Sequence, residues 1–252
     1  MTAKLSVVVT THCRCVLLPR ALNSLRALGD QVQIVLCADE GTRETRQVAT
    51  DHLRDGDIFM SLPGYRGPSA TRNAGLHYAT GDWISFLDDD DTFDRCVQTD
   101  ILNKLINEDI VYISNYRKLF EQRPEKGAIV QTRVTNKRTN RKPFAELEVR
   151  NFVPLSTIFA PRELASQVRF DPDLSISEDW EYLLQLKRLA KLEHMDAFAA
   201  NWHIEEEGRV SRDSGGKKKR AESAKRIYDK HPTTDPVIEQ ARLQRLRELG
   251  GL

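Results

Sequence analysis

Residues Asp88, Asp89, Asp90 and Asp91 follow directly on the apolar run Trp83-Ile84-Ser85-Phe86-Leu87. Four adjacent carboxylates repel one another unless positive charge sits among them. A hard divalent cation is the natural partner, because such ions take oxygen ligands and share them with phosphates. The preceding run has the length and composition of a buried strand. Open α/β sheets place their ligands at the carboxyl ends of strands. The stretch therefore reads as a metal-dependent site for a phosphorylated ligand. A solvated turn that caps the next helix is the plainer reading of the same residues, since Asp and Thr cap well.

The elements before this stretch decide what it can face. Lys4 to Thr10 is a β-branched run that predicts a first strand. Leu18, Leu22 and Leu25 then recur at helical spacing, and Gly29 suits a stop. Gln31 to Cys37 predicts a second strand, Asp39 to Thr42 a turn, and the next residues a helix to about Leu53. Asp57 to Ser61 predicts a short third strand. Ser69 is the expected cap of a helix running to Ala79, and Trp83 to Leu87 is the fourth strand. Alternating strands and helices predict a mostly parallel sheet with helices on both faces. Right-handed crossovers bring the carboxyl ends of its strands to one edge. The loop at 10–14, the Asp39 turn, the Arg72 region and the Asp88–Asp91 cluster should then line one crevice.

Beyond the cluster the pattern predicts a helix from Asp94 to Asn107 and a strand from Ile110 to Leu119. The basic run 121–142 reads as a solvated hairpin, with an anionic-ligand surface as the alternative. A helix at Phe144–Arg150, a strand at Ser156–Ala160 and a helix opened by Pro161 follow. Glu178-Asp179 precedes an amphipathic helix from Glu181 to Lys191. Leu192 to His203 predicts a last strand, 205–216 a mobile loop, and Lys217–Lys230 and Asp235–Leu249 two polar helices. Residues 1–204 are expected to form one domain, with 1–92 the nucleotide half and 93–204 the acceptor half. Residues 205–252 would be a loop and a helical extension.

The chain has 252 residues, 40% apolar and 30% charged, with net charge +1. That composition fits a soluble globular protein and gives no pull toward nucleic acid. No run approaches the ~20 apolar residues of a membrane span. Residues 1–10 have no charged segment leading into an apolar stretch, so no signal peptide is expected. Cys13, Cys15, Cys37 and Cys96 fit reduced thiols in a cytoplasmic setting, and Cys13-x-Cys15 lacks the spacing of a zinc site.

Five motifs in order resemble the inverting family 2 glycosyltransferases of the GT-A fold. Ser6 to Arg14 with Leu17 to Leu25 resembles their opening strand and helix, although His12 and Cys13 stand where an aromatic and an Asn are usual. Asp39-Glu40-Gly41-Thr42 resembles the turn that reads the nucleobase, with Ala38 in place of the first of two acids. Ala70-Thr71-Arg72-Asn73-Ala74-Gly75, Gly81 to Asp91 and Glu178-Asp179-Trp180 complete the set. The resemblance implies a transfer from a nucleoside-diphosphate sugar, a UDP-sugar first among them, to a glycan or lipid-linked hydroxyl. Polysaccharide or glycolipid synthesis is the implied setting.

It also implies roles. Asp90, with Asp88, would hold Mn²⁺ or Mg²⁺, and Asp88 or Asp89 would reach the ribose. Asp39 would contact the base. Thr10, His12 and Arg14 would meet the donor, Arg72 would grip the diphosphate, and Asn73 would orient the Asp cluster. Asp179 would be the general base and Glu178 its helper. His203 is a further candidate metal ligand, and Arg209 and Ser211 would close over the donor. Lys217, Lys218, Lys219 and Arg220 could touch an anionic inner membrane face, or be a solvated helix start. An EF-hand is excluded, since Phe93 stands where its Gly must be. Two other readings compete. In a haloacid-dehalogenase-like phosphatase Asp88 would be the nucleophile and Asp90 the acid. In an inactive scaffold the domain would only bind nucleotide sugars.

Overall fold

The computed structural model describes residues 4–122, 128–206 and 216–251. Strands β1 (Leu5–Thr11), β2 (Val32–Asp39), β3 (Ile58–Leu62) and β4 (Trp83–Asp88) are linked by helices α1 (Leu18–Arg26), α2 (Arg43–His52) and α3 (Gly67–Tyr78). These strands lie parallel in the order β3-β2-β1-β4. Then come β5 (Thr92–Phe93), β6 (Ile110–Gln122), β7 (Val130–Lys137), β8 (Ile158–Pro161) and β9 (Lys191–Glu205). β8 joins the halves, antiparallel to both β4 and β6. β6 and β9 run parallel, β7 hairpins onto β6, and β5 pairs antiparallel with β9. The sheet is thus parallel through its first half and mixed through its second. The fold is α/β, as the periodicity predicts.

Side chains alternate across a strand, and the sheet is buried on both faces. Leu5, Val7 and Val9 of β1 point to one face with Ile34 and Leu36, against Leu18, Leu22 and Leu25 of α1. Val8, Val35, Ile84 and Phe86 point to the other. There they meet α5 (Glu178–Leu189), α6 (Gly216–Lys230) and α7 (Pro236–Glu248) through Tyr182, Leu183, Ile227 and Leu246. The C-terminal helices are therefore part of the main core. Lys217, Lys218, Lys219 and Arg220 are exposed along the first turn of α6. Among the described residues no helix is long and apolar enough to cross a membrane.

Several expected elements form differently. Residues Asp94 to Asn107 make a wide turn at Val97–Ile101 and a tight one at Leu102–Lys104 rather than an α-helix. The segment is pinned to β9, where Asp94 N donates to Ala199 O and Cys96 Sγ to Phe198 O. Its β-branched Val97, Thr99 and Ile101 also disfavour a regular helix. Phe144–Glu148 is a single 3-10 turn, too short to nucleate more. The α4 helix (Arg162–Gln167) starts after Pro161. Ser69 does not cap α3; it is buried inside the helix, which starts at Gly67 with Pro68 in its first turn. Arg209 and Ser211, with the rest of 207–215, lie outside the described residues.

Two glycines allow close approach. A Cβ on Gly75 would stand 2.5 Å from Val8 Cγ1, so α3 lies tight on β1. A Cβ on Gly81 would stand 2.6 Å from the backbone nitrogen of Ser6. The Gly81 N–H also donates to Ser6 Oγ at 2.7 Å. Backbone cannot step aside as a side chain can. Gly81→Ala is expected to lower unfolding free energy by about 1–3 kcal/mol, read as a shifted urea midpoint. An unchanged midpoint would show that the turn has room.

Candidate active site

β4 ends at Asp88, and the next residues fold into a turn closed by Asp91 N donating to Asp88 O at 3.1 Å. The turn separates the four carboxylates. Asp88 is half exposed and accepts from Arg72 Nη2 at 2.9 Å. Asp89 is buried and accepts from Thr11 Oγ1 at 2.6 Å and Arg14 Nη1 at 3.3 Å. Asp90 accepts from Arg14 Nη1 at 2.7 Å, and its carbonyl accepts from Arg20 Nη2 at 3.0 Å. Asp91 is buried and accepts from the His203 N–H at 3.0 Å. Burial pushes Asp89 up to about 6, against the pull of Thr11 and Arg14. Burial also pushes Asp91 well up, aided by the charges of Asp88 and Asp90.

Arg72 is the link to the second motif. Its guanidinium is buried and donates to Glu178 Oε1 at 2.6 Å as well as to Asp88. Burial alone would lower its pKa, but the charges of Asp88 and Glu178 outweigh that and keep it cationic. The face of Phe170 lies beneath it, 5.4 Å away. Arg72 thus spans two carboxylates, a role its motif does not announce. Asn73 does not orient the Asp cluster either. Its amide clamps the backbone of Phe170, donating to the carbonyl at 2.8 Å and accepting from the N–H at 2.9 Å.

Glu178 and Asp179 form the first turn of α5 instead of preceding it, with Ser177 in a left-handed conformation at φ 64° just ahead. Asp179 Oδ2 accepts from Asn151 Nδ2 at 2.9 Å, and Oδ1 from the Trp180 N–H at 2.8 Å. Its pKa is pushed up to about 7, mainly by burial and then by the charge of Glu178, with Arg72 pulling the other way. Asp179, Glu178, Arg72, Asp88 and Asp91 line one cavity of about 500 Å³. Its other walls include Tyr116, Asn151 and Trp202.

The loop after β1 forms the other end of the sheet edge. His12 Nδ1 lies 2.7 Å from Asp39 O, and its ring packs edge-on to Tyr65 at 5.0 Å. Thr10 sits level with Asp88 across the β1–β4 ladder. Asp39 is buried, and its two oxygens accept from the N–H groups of Arg66 and Gly67 at 2.7 and 2.8 Å. It thus caps α3 from another strand, which offsets the unpaired donors of that helix start. A base contact there competes with this capping.

His203 lies on β9 beside the turn. Its Nδ1 pairs with Glu121 and its Nε2 lies 2.9 Å from Thr92 Oγ1. Both ring nitrogens are engaged, so His203 is not presented to a cation as expected. Glu121 also receives Arg20 at 2.8 and 3.0 Å. Arg20, Glu121, Thr11 and Asn151 are the site-building residues that motif reasoning misses. Only Asn151 has a readable cue, a polar residue between Arg150 and the apolar Phe152-Val153, and that cue is weak.

Among the described residues no three His, Cys, Asp or Glu side chains converge into a ready metal cage. A cation such as Mg²⁺ is often held by one or two carboxylates, with phosphate and water completing its shell. The oxygen-only set of Asp88 and Asp90, both partly exposed, fits a cation that arrives with a diphosphate. Asp88 ends the fourth strand in chain order, not the first strand that a dehalogenase-like nucleophile requires.

Comparison with known proteins gives a consistent picture. The sequence profile of glycosyl transferase family 2 matches residues 6–158. A GalNAc(5)-diNAcBac-PP-undecaprenol beta-1,3-glucosyltransferase of Campylobacter jejuni is 35% identical over 92 residues, covering 35% of this chain and 30% of the relative. The succinoglycan biosynthesis protein ExoO of Rhizobium meliloti is 28% identical over 191 residues, covering 68% and 51%. The chain thus spans about a third to a half of the length of these curated relatives. Among solved structures, S. aureus TarS with UDP-GlcNAc superposes with TM-score 0.68 at 17% identity, over 96% of this chain and 71% of that one. Mannosyltransferase PcManGT from Pyrobaculum calidifontis, with GDP-Man and Mn²⁺, gives 0.61 at 16% identity, over 99% and 70%. These likenesses establish the GT-A fold.

Removing Arg72 leaves Glu178, only 12% exposed at its side chain, beside Asp179 without its cation. Breaking a buried pair from one side costs about 3 kcal/mol or more. Arg72→Ala should lose roughly that much by urea unfolding. A loss within ~0.5 kcal/mol, the usual range for surface changes, would mean that solvent replaces the guanidinium.

Proposed function

The chain belongs to glycosyl transferase family 2, and on that premise we propose that it moves a sugar from a nucleoside diphosphate onto an acceptor hydroxyl with inversion. One observation carries the reading: a carboxylate raised to about 7, Asp179, shares a single cavity with the acidic turn of β4. Base and donor anchor then face the same space.

In this mechanism the acceptor oxygen attacks the anomeric carbon on the side opposite the diphosphate. Asp179 takes the proton that the hydroxyl must lose. A base works best with a pKa near the working pH, and burial beside Glu178 supplies that shift. Asn151 fixes the carboxylate by donating to one oxygen. Arg72 holds Glu178 and Asp88 at a set separation, so the base helix and the donor turn keep register. Asp88 and Asp90 would hold Mn²⁺ or Mg²⁺, which when bound neutralises charge on the departing diphosphate. Arg14 lies against Asp89 and Asp90 and would meet the donor phosphates there.

The base-binding end is assigned to His12, Tyr65 and Asp39, with a UDP-sugar the leading donor. The GDP-Man complex of the superposable mannosyltransferase keeps a guanine donor in the comparison. A glycan or lipid-linked acceptor in polysaccharide or glycolipid synthesis fits the named roles of the relatives. The peripheral contact of Lys217, Lys218, Lys219 and Arg220 with an inner membrane face belongs to the same proposal.

Asp179→Asn should lower kcat by about 10²–10⁴ while nucleotide binding persists. For the unmodified chain, kcat/KM should rise with pH through roughly 7, because only the deprotonated carboxylate accepts a proton. Transfer at the normal rate by the Asn variant would remove Asp179 from the mechanism. Thermal melts with UDP and GDP, each with Mn²⁺ and with a chelator, test the donor half. A nucleotide at 100 times its dissociation constant adds ~2.7 kcal/mol. That gain should need the metal and should vanish in Asp90→Ala. Stabilisation by neither nucleotide would overturn the nucleotide-sugar reading, whereas stabilisation without transfer would leave the inactive scaffold.

A further inference from the structure

A second cavity, of about 440 Å³, lies behind the base. It shares a wall of Asn151, Ile176 and Ser177 with the catalytic cavity. Three arginines reach it from three separate elements: Arg150 before β8, Arg220 on α6 and Arg245 on α7. Among the described residues no acidic side chain lines it. Its floor is apolar, formed by Val149, Trp180, Ala224 and Leu249.

The arginines are not consumed by their neighbours. Arg150 gives Nε and Nη2 to Glu146, and Arg245 gives Nη1 to Glu248. Each guanidinium has five N–H donors, so donors remain on both. Arg220 has no hydrogen-bond or ion-pair partner among the described residues. Glu146 and Glu248 each answer one of the three guanidinium groups from outside this cavity, which leaves a net positive concavity suited to an anion. Guanidinium groups match phosphate with paired hydrogen bonds.

We infer that this cavity is a subsite for a phosphate or diphosphate group carried by the acceptor. The inference rests on the transferase reading for the word acceptor. Asn151 forms part of its wall and also holds Asp179, so an anion here would lie one residue away from the base. The acceptor would be gripped at its phosphate by the arginines and would reach its hydroxyl past Asn151 toward Asp179. The apolar floor would suit the first carbons of an attached chain. The donor site lies at the acidic turn, so the two phosphate sites do not compete.

The test is an NMR titration of the full chain with inorganic pyrophosphate in chelator, a condition that removes the cation on which donor binding depends. Shifts are expected at the Arg220 and Arg245 Nε–Hε groups and at Ala224. In Arg220→Ala/Arg245→Ala, both partly or fully exposed positions, the pyrophosphate dissociation constant should rise at least about tenfold, given the strength of charge-assisted bonds. Farnesyl diphosphate in the same titration separates the sources. Tighter binding than pyrophosphate identifies a lipid-borne phosphate, and equal binding a phosphate on a soluble glycan. No shift at these arginines, or equal affinity in the double variant, overturns the inference. A parallel UDP titration with Mg²⁺ keeps the two readings apart. UDP binding without pyrophosphate at the arginines sinks the subsite alone, whereas pyrophosphate at the arginines without nucleotide binding sinks the transferase reading and leaves an anion site.

Discussion

Four carboxylates in a row at the end of a buried strand repel one another, and much of the surrounding structure answers that repulsion. The turn at 88–91 splays the side chains apart. Arg14 from the first loop takes Asp89 and Asp90, Arg20 from α1 takes the Asp90 carbonyl, and Arg72 from α3 takes Asp88. Thr11 and the His203 backbone complete the set with neutral donors. Contributions come from β1, α1, α3 and β9, so the acidic turn holds together distant parts of the chain. Burial, more than the neighbouring charges, raises Asp89 and Asp91.

Arg72 extends the same logic to the base. One buried guanidinium with carboxylates on two sides is a rigid spacer, because charged groups in low dielectric tolerate little displacement. Through it α3 reaches α5 across 106 residues of sequence and also holds the end of β4. Asn73, next in the chain, clamps Phe170 at the approach to α5. The motif that carries both residues therefore acts on the far half of the molecule. Gly75 in the same motif lets α3 lie close enough to β1 for those reaches to be made.

The C-terminal helices enter this scheme from behind. α6 and α7 bury Ile227, Tyr228 and Leu246 in the core that also holds Tyr182 and Leu183 of α5. Their packing supports the helix on which Asp179 sits. His231 and Lys230 near the end of α6 face Glu181 of α5 at 3.0 and 3.6 Å, adding polar ties to that support.

Periodicity alone determined the α/β class, the four parallel strands and the edge at which the candidate site residues gather. Those follow from local patterns: β-branched runs, leucines at helical spacing and turn residues. The motifs at 39, 72, 88–91 and 178–179 were equally visible, because acids at a strand end and at a helix start stand out in any chain. Their partners were not. Nothing near Arg72 in sequence shows that it meets Glu178, and nothing near Glu121 shows that it joins Arg20 and His203. Asp39 stands out as a turn acid but not as the cap of α3, because a cap can come from any strand end that lies within reach. The segment after Phe93 looked helical, yet its hydrogen bonds to β9 took the backbone elsewhere. Side-chain pairing across tens of residues depends on which surfaces the sheet brings together, and only the tertiary structure decides that.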